Sequence, residues 1–185
     1  MPVVDKGYLP LGAWNNFYLL ASATAATLVG LLFVVITLAA ERQPHSEAKR
    51  IRVYLTPTVV YFASVLLLCG ALTFPTQSRL SAAPCCCGGG AAGILYALSL
   101  LRGRPLGGRF REGGDVWQYS LLPAAAFGLL VVGGATMYAL DPDEGLTMVA
   151  VAMLALLALA LRNSWAIAVT IISLPSRDGD DKSRK

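Results

Sequence analysis

Charge is scarce in this chain. Asp, Glu, Lys and Arg make up 14% of its 185 residues, against about 25% in an ordinary soluble domain. Histidine is scarcer still: His45, beside Pro44 in a charged segment, is the single one. This shortage excludes much chemistry. There is no H-E-x-x-H for zinc hydrolysis, no pair of carboxylates placed for acid–base work, and no Ser-His-Asp set. The Gly-rich stretch "GRPLGGRFREGGD" lacks the G-K-[ST] ending of a phosphate-binding P-loop and reads as a flexible basic loop. The sequence implies no cofactor, no metal, no nucleic-acid partner and no enzyme activity.

Apolar residues, in contrast, make up 56% of the chain. They do not recur with a period of 3.6, as the buried faces of a soluble bundle would. They come in runs of about twenty, enough to cross about 30 Å of hydrocarbon as a helix. "FYLLASATAATLVGLLFVVITLAA" (residues 17–40) has no polar face at all. The alternation of a β-barrel strand is missing too. The fold class is therefore an all-α, polytopic membrane bundle in contact with the lipid bilayer. Five transmembrane helices are expected, at about 17–40, 53–74, 84–101, 117–140 and 145–174. A tail of residues 1–16 precedes them and a charged tail of residues 175–185 follows.

Lysine and arginine give the direction. Arg42, Lys49, Arg50 and Arg52 follow span one; Arg102, Arg104, Arg109 and Arg111 follow span three; Arg177, Lys182, Arg184 and Lys185 lie in the tail. The intervening segments hold Lys6 and Arg79. The twelve-to-two bias predicts an N-terminus outside and a C-terminus in the cytoplasm, in a plasma membrane. Span one has no basic leader and no small-residue cleavage site, so it is expected to stay as an anchor. Trp14, Phe17, Tyr18 and Tyr138 are expected at the outer headgroup boundary, and Tyr54, Trp117 and Tyr119 at the inner one. Pro57 is expected in the first turn or two of its span, and Pro123 further inside its own, where a bend is conceivable.

Small residues let membrane helices approach closely. Ser22, Ala23, Ala26, Thr27 and Gly30 share one face of span one. Gly89 and Gly93 form a G-x-x-x-G pair in span three, and Ala124, Gly128 and Ala135 a stripe in span four. Gly30, Gly89, Gly93 and Gly128 are thus the packing candidates, within one bundle or between copies.

The run "PCCCGGG" (residues 84–90) falls at the outer end of span three. Successive thiols on a helix point about 100° apart, and zinc wants four converging ligands. Plain packing of small apolar thiols is one reading. The other is a disulfide from Cys69, near the outer end of span two, to Cys85 or Cys86, on the face where disulfides persist.

The one deep charge is Arg162, followed by Asn163 and Ser164. Counted from Gly145 it lies about 26 Å along the helix, near the inner boundary, where it can snorkel to headgroups. A span starting near Val151 would instead put it at mid-depth with a need for a partner. "WNNFY", "ATLVGLLFVVITL" and "RNSW" together resemble a group of small, uncharacterised bacterial multi-pass membrane proteins, some described as modulators of a membrane protease. The resemblance implies a bacterial membrane protein and carries no catalytic motif. The expected function is non-catalytic, through lateral interaction with itself, as a homo-oligomer, or with another membrane protein. The alternative is an oligomeric channel or transporter for a small anion, lined by Arg162, Asn163 and Ser164.

Overall fold

The structure, a computed structural model, describes residues 11–42, 45–75, 77–102 and 121–172. They form five helices: α1 (Leu11–Arg42), α2 (His45–Leu72), α3 (Arg79–Arg102), α4 (Leu122–Ala139) and α5 (Pro142–Ile172). No strand occurs among the described residues. Four helices are long and apolar enough to cross a membrane, over Gly12–Thr37, Arg79–Leu100, Leu122–Ala139 and Pro142–Ala166. The apolar part of α2, Thr56–Leu72, is shorter. The basic loop after Arg102, the residues Trp117 and Tyr119, and the C-terminal tail lie outside the described residues, as does the side chain of Tyr54.

The helices α2, α3, α4 and α5 close a ring, with α3 on α4 and α4 on α5 as the most extensive pairs and α2 on α3 as the slightest. Outside the ring, α1 lies against α2 and α5. Only 17% of its apolar stretch is buried, against 44% for α4 and α5, which marks it as peripheral. The core is a column of large side chains: Tyr61, Phe62, Phe127, Leu130, Met137, Leu146, Met153 and Leu156. On α5 the buried stripe runs Gly145, Val149, Ala152, Leu156, Ala160 and Asn163, in steps of three and four that keep one face inward.

Local chemistry sets the helix ends. The Asp141 carboxylate accepts from the Asp143 amide at 2.8 Å and the Glu144 amide at 3.4 Å, which caps α5. The Gly145 amide donates to the Asp141 carbonyl at 3.0 Å and closes the first turn. The acids Asp143 and Glu144 also suit the positive end of the helix dipole. At α3, the Ser81 hydroxyl accepts from the Ser78 amide at 3.0 Å, while the Ala82 amide donates to the Ser78 carbonyl at 2.9 Å. This is one half of a capping box, with serine in the usual place of the acid.

That cap moves one expected boundary. The third helix starts at Arg79, five residues before Pro84. The proline is exposed at the surface, so the Leu80 carbonyl that loses its amide partner is near the helix end. Two further expectations change, at Pro57 and at the start of α1. Pro57 lies thirteen residues into α2 and is buried, well beyond the first two turns, because the helix extends back to His45. Pro123 is the second residue of α4 as described, and residues 117–120, which decide how far inside its span it lies, are outside the described residues. Tyr18 is fully buried against other helices, whereas Tyr138 is exposed. The helix α1 begins at Leu11, so it takes in the last residues of the expected tail.

Candidate functional site

The thiols come together at one end of the ring. The side chain of Leu68 fills the space beside Gly89, where an added Cβ would stand 2.7 Å from it. That contact sets the antiparallel register of α2 and α3. One step along α2 and three back along α3 bring Cys69 and Cys86 to within about 3 Å of the same height. Both are fully buried, and both neighbour Tyr18. Cys85 and Cys87 are half-buried on either side of Cys86. The Cys87 thiol donates to the Val131 carbonyl at 3.6 Å, across the α3–α4 contact. All four cysteines are unbridged. Among the described residues, no group of three or more His, Cys, Asp or Glu side chains is placed to hold a metal ion.

Tyr18 is the polar hinge of this layer. Its hydroxyl donates to the Leu146 carbonyl at 2.8 Å and so ties α1 to α5 across 128 residues of sequence. Trp14 and Phe17 pack on its ring, with centroids 6.1 and 5.2 Å away. One turn further, the Ser22 hydroxyl donates to the Leu66 carbonyl at 3.3 Å and ties α1 to α2. Sequence reasoning read Tyr18 as an anchor because a tyrosine near a span's end has that role in most cases. No sequence signal pairs it with residue 146.

The glycines divide into two groups. Gly89 and Gly93 are contact residues, Gly93 beneath the Phe127 ring. Gly30 and Gly128 have open space where a Cβ would go, so neither is a close-approach residue within this chain. Close approaches also fall at glycines that the small-residue search passed over. A Cβ on Gly90 would meet the Phe127 carbonyl at 2.9 Å, and one on Gly134 the Cys87 sulfur at 2.8 Å. A Cβ on Gly145 would meet the Met137 backbone nitrogen at 2.5 Å. The pair Gly133–Gly134 was the available signal; Gly145, directly after the acidic turn, read only as a boundary.

Arg162, Asn163 and Ser164 do not converge. Arg162 is exposed, Asn163 is buried in the bundle, and Ser164 is half-buried with its hydroxyl donating to the Ala160 carbonyl at 2.9 Å. Consecutive positions on a helix turn by about 100°, which gives three directions. Arg162 is twenty residues beyond Pro142, so it lies about 30 Å along α5. That length equals the full thickness of a hydrocarbon layer.

Compared with protein-family models, with curated proteins and with solved structures, the chain finds no significant match in any of the three.

Proposed function

We propose that this is a bacterial plasma-membrane protein without catalytic chemistry, working by lateral contact of α1 with a helix of a second copy or of another membrane protein. One observation carries the reading. Small residues of α3, α4 and α5 are spent inside the ring at Gly90, Gly93, Gly133, Gly134 and Gly145, although Gly88 and Ala92 of α3 and Gly128 and Ala135 of α4 are not. On α1, Ala23, Ala26, Thr27 and Gly30 all face outward. The Thr27 hydroxyl is satisfied by the Ala23 carbonyl at 2.9 Å, so the seam is smooth and makes no polar demand on lipid. Association in lipid relies on close backbone approach, and Ala26 with Gly30, four residues apart, offers it. The basic residues support a chain with all five helices crossing, the N-terminus outside and the C-terminus cytoplasmic.

The test is resonance energy transfer between donor- and acceptor-labelled chains in liposomes, as lipid is added. Self-association predicts transfer above the random level for wild type and its loss in Ala26→Leu and Gly30→Leu. Transfer at the random level in wild type restricts the proposal to a different partner. Copurification of a partner from native membranes must then depend on the same two residues. If it does not, the α1 seam is ordinary lipid-facing surface.

A further inference from the structure

Consecutive helices joined by a short turn are usually packed neighbours. The turn between α2 and α3 is short, residues 73–78, yet theirs is the slightest contact in the ring. The chain itself, more than packing, holds the two side by side. Near that turn each helix contributes a buried thiol, Cys69 from α2 and Cys86 from α3. The Leu68–Gly89 contact sets the register, so the pair lies within about 3 Å of one height. Both thiols border the Tyr18 side chain, and they border each other. No disulfide joins them. The two remaining thiols are placed differently. Cys85 and Cys87 point about 100° to either side of Cys86, both are half-buried, and Cys87 is engaged with the Val131 carbonyl of α4.

We propose that Cys69 and Cys86 form a reversible redox-modification site, a latch across the α2–α3 seam that a small uncharged disulfide closes by exchange and a dithiol opens. One cysteine gives up its proton, and its thiolate attacks the reagent's disulfide and expels one half as a thiol. The second cysteine, losing its own proton, attacks the mixed disulfide and expels the other half. One disulfide is broken and one is formed; the two cysteines are oxidised and the reagent is reduced to two thiols. The slight packing admits the reagent, because a seam with few contacts is the part of a bundle that opens most cheaply. An uncharged reagent is required, since a charged one is costly to bring into an apolar seam. Once formed, the bridge ties together the two ring neighbours that pack least. Oxidation therefore strengthens the ring at its weakest contact. This latch is separate from the α1 seam and does not rest on it.

The experiment uses the full chain in detergent micelles with one equivalent of dithiodipyridine, left to equilibrate. Free thiols are then alkylated, peptides are mapped by mass spectrometry, and the protein is unfolded with SDS. The expected product is a Cys69–Cys86 bridge with both pyridinethione halves released and with Cys85 and Cys87 alkylated. The unfolding midpoint should move to a higher SDS fraction and return on adding dithiothreitol. Cys69→Ser should abolish the bridge and the shift; Cys85→Ser and Cys87→Ser should leave both. The dithiothreitol reversal needs wild type alone, so it stands even where Cys69→Ser does not fold. A pyridyl adduct that stays on Cys85 or Cys87 without bridging, a bridge between any other pair, or a Cys69–Cys86 bridge that leaves the SDS midpoint unchanged would each overturn the proposal.

Discussion

Replacing Gly145 with alanine adds one methyl group where α4 and α5 run closest. The new Cβ would stand 2.5 Å from the Met137 nitrogen and 2.6 Å from its Cα, whereas non-bonded carbon atoms rest about 3.5 to 4.0 Å apart. The obstacle is backbone, so no side-chain rotation relieves it. The helices must separate locally by about 1 Å to restore ordinary contact. The turn at Leu140 and Asp141 is short and capped, and it leaves little slack for that movement. The next contact, Gly133 with Val149, would loosen too. Overpacking of this kind costs about 1 to 3 kcal/mol. Alanine recovers about 0.5 to 1 kcal/mol as the better helix former. A net loss of about 1 kcal/mol, within about 0 to 2.5 kcal/mol, follows from these two figures. Gly30→Ala and Gly128→Ala meet nothing within 4 Å, so they should be neutral or slightly stabilising. Tryptophan fluorescence during unfolding in mixed SDS micelles measures the three against wild type. If Gly145→Ala unfolds at the same SDS fraction as the two controls, the α4–α5 register described above is wrong.

The thiols and the topology give two further tests. Peptide mass spectrometry after treatment of folded protein with a thiol-alkylating reagent should find Cys85 and Cys87 modified before Cys69 and Cys86, which are fully buried; the reverse order contradicts the packing of α3. A membrane-permeant oxidant should then cross-link Cys69 to Cys86, since bridged residues need their Cα atoms about 4.4 to 6.8 Å apart, and wild type that stays unbridged under such treatment places the pair out of reach. For topology, alkaline phosphatase fused after Asp143 should be active and fused after Arg109 inactive, and the opposite result reverses the orientation.

Helix identity and approximate position were legible because long apolar runs and charged breaks are local properties of a sequence. The helix ends were less so. Ser78 and Ser81 make a cap without the usual acidic residue, and Pro84 attracted the boundary that they set. The extension of α2 back to His45 was hidden by its charges, which read as a loop. The packing was legible only in part. A G-x-x-x-G count found Gly89 and Gly93, but which face meets which helix is decided by the ring as a whole. Gly30 thus faces out while Gly90 and Gly145 face in. The burial of Tyr18 could not be read at all, because its partner Leu146 is supplied by the last helix.

That distant pairing has a consequence for biogenesis. Hairpins form between helices made one after another, and α1–α2, α3–α4 and α4–α5 are such neighbours. Each can zip as soon as its second strand of helix leaves the translocation machinery. The Tyr18 hydroxyl has to wait, because the Leu146 carbonyl is made 128 residues later. In the interval a phenol hydroxyl lies within the membrane without its final acceptor, on the helix that was inserted first. The docking of α1 against α5 therefore cannot be completed before α5 is made, and a chain stopped after α4 would lack the acceptor of the Tyr18 hydroxyl.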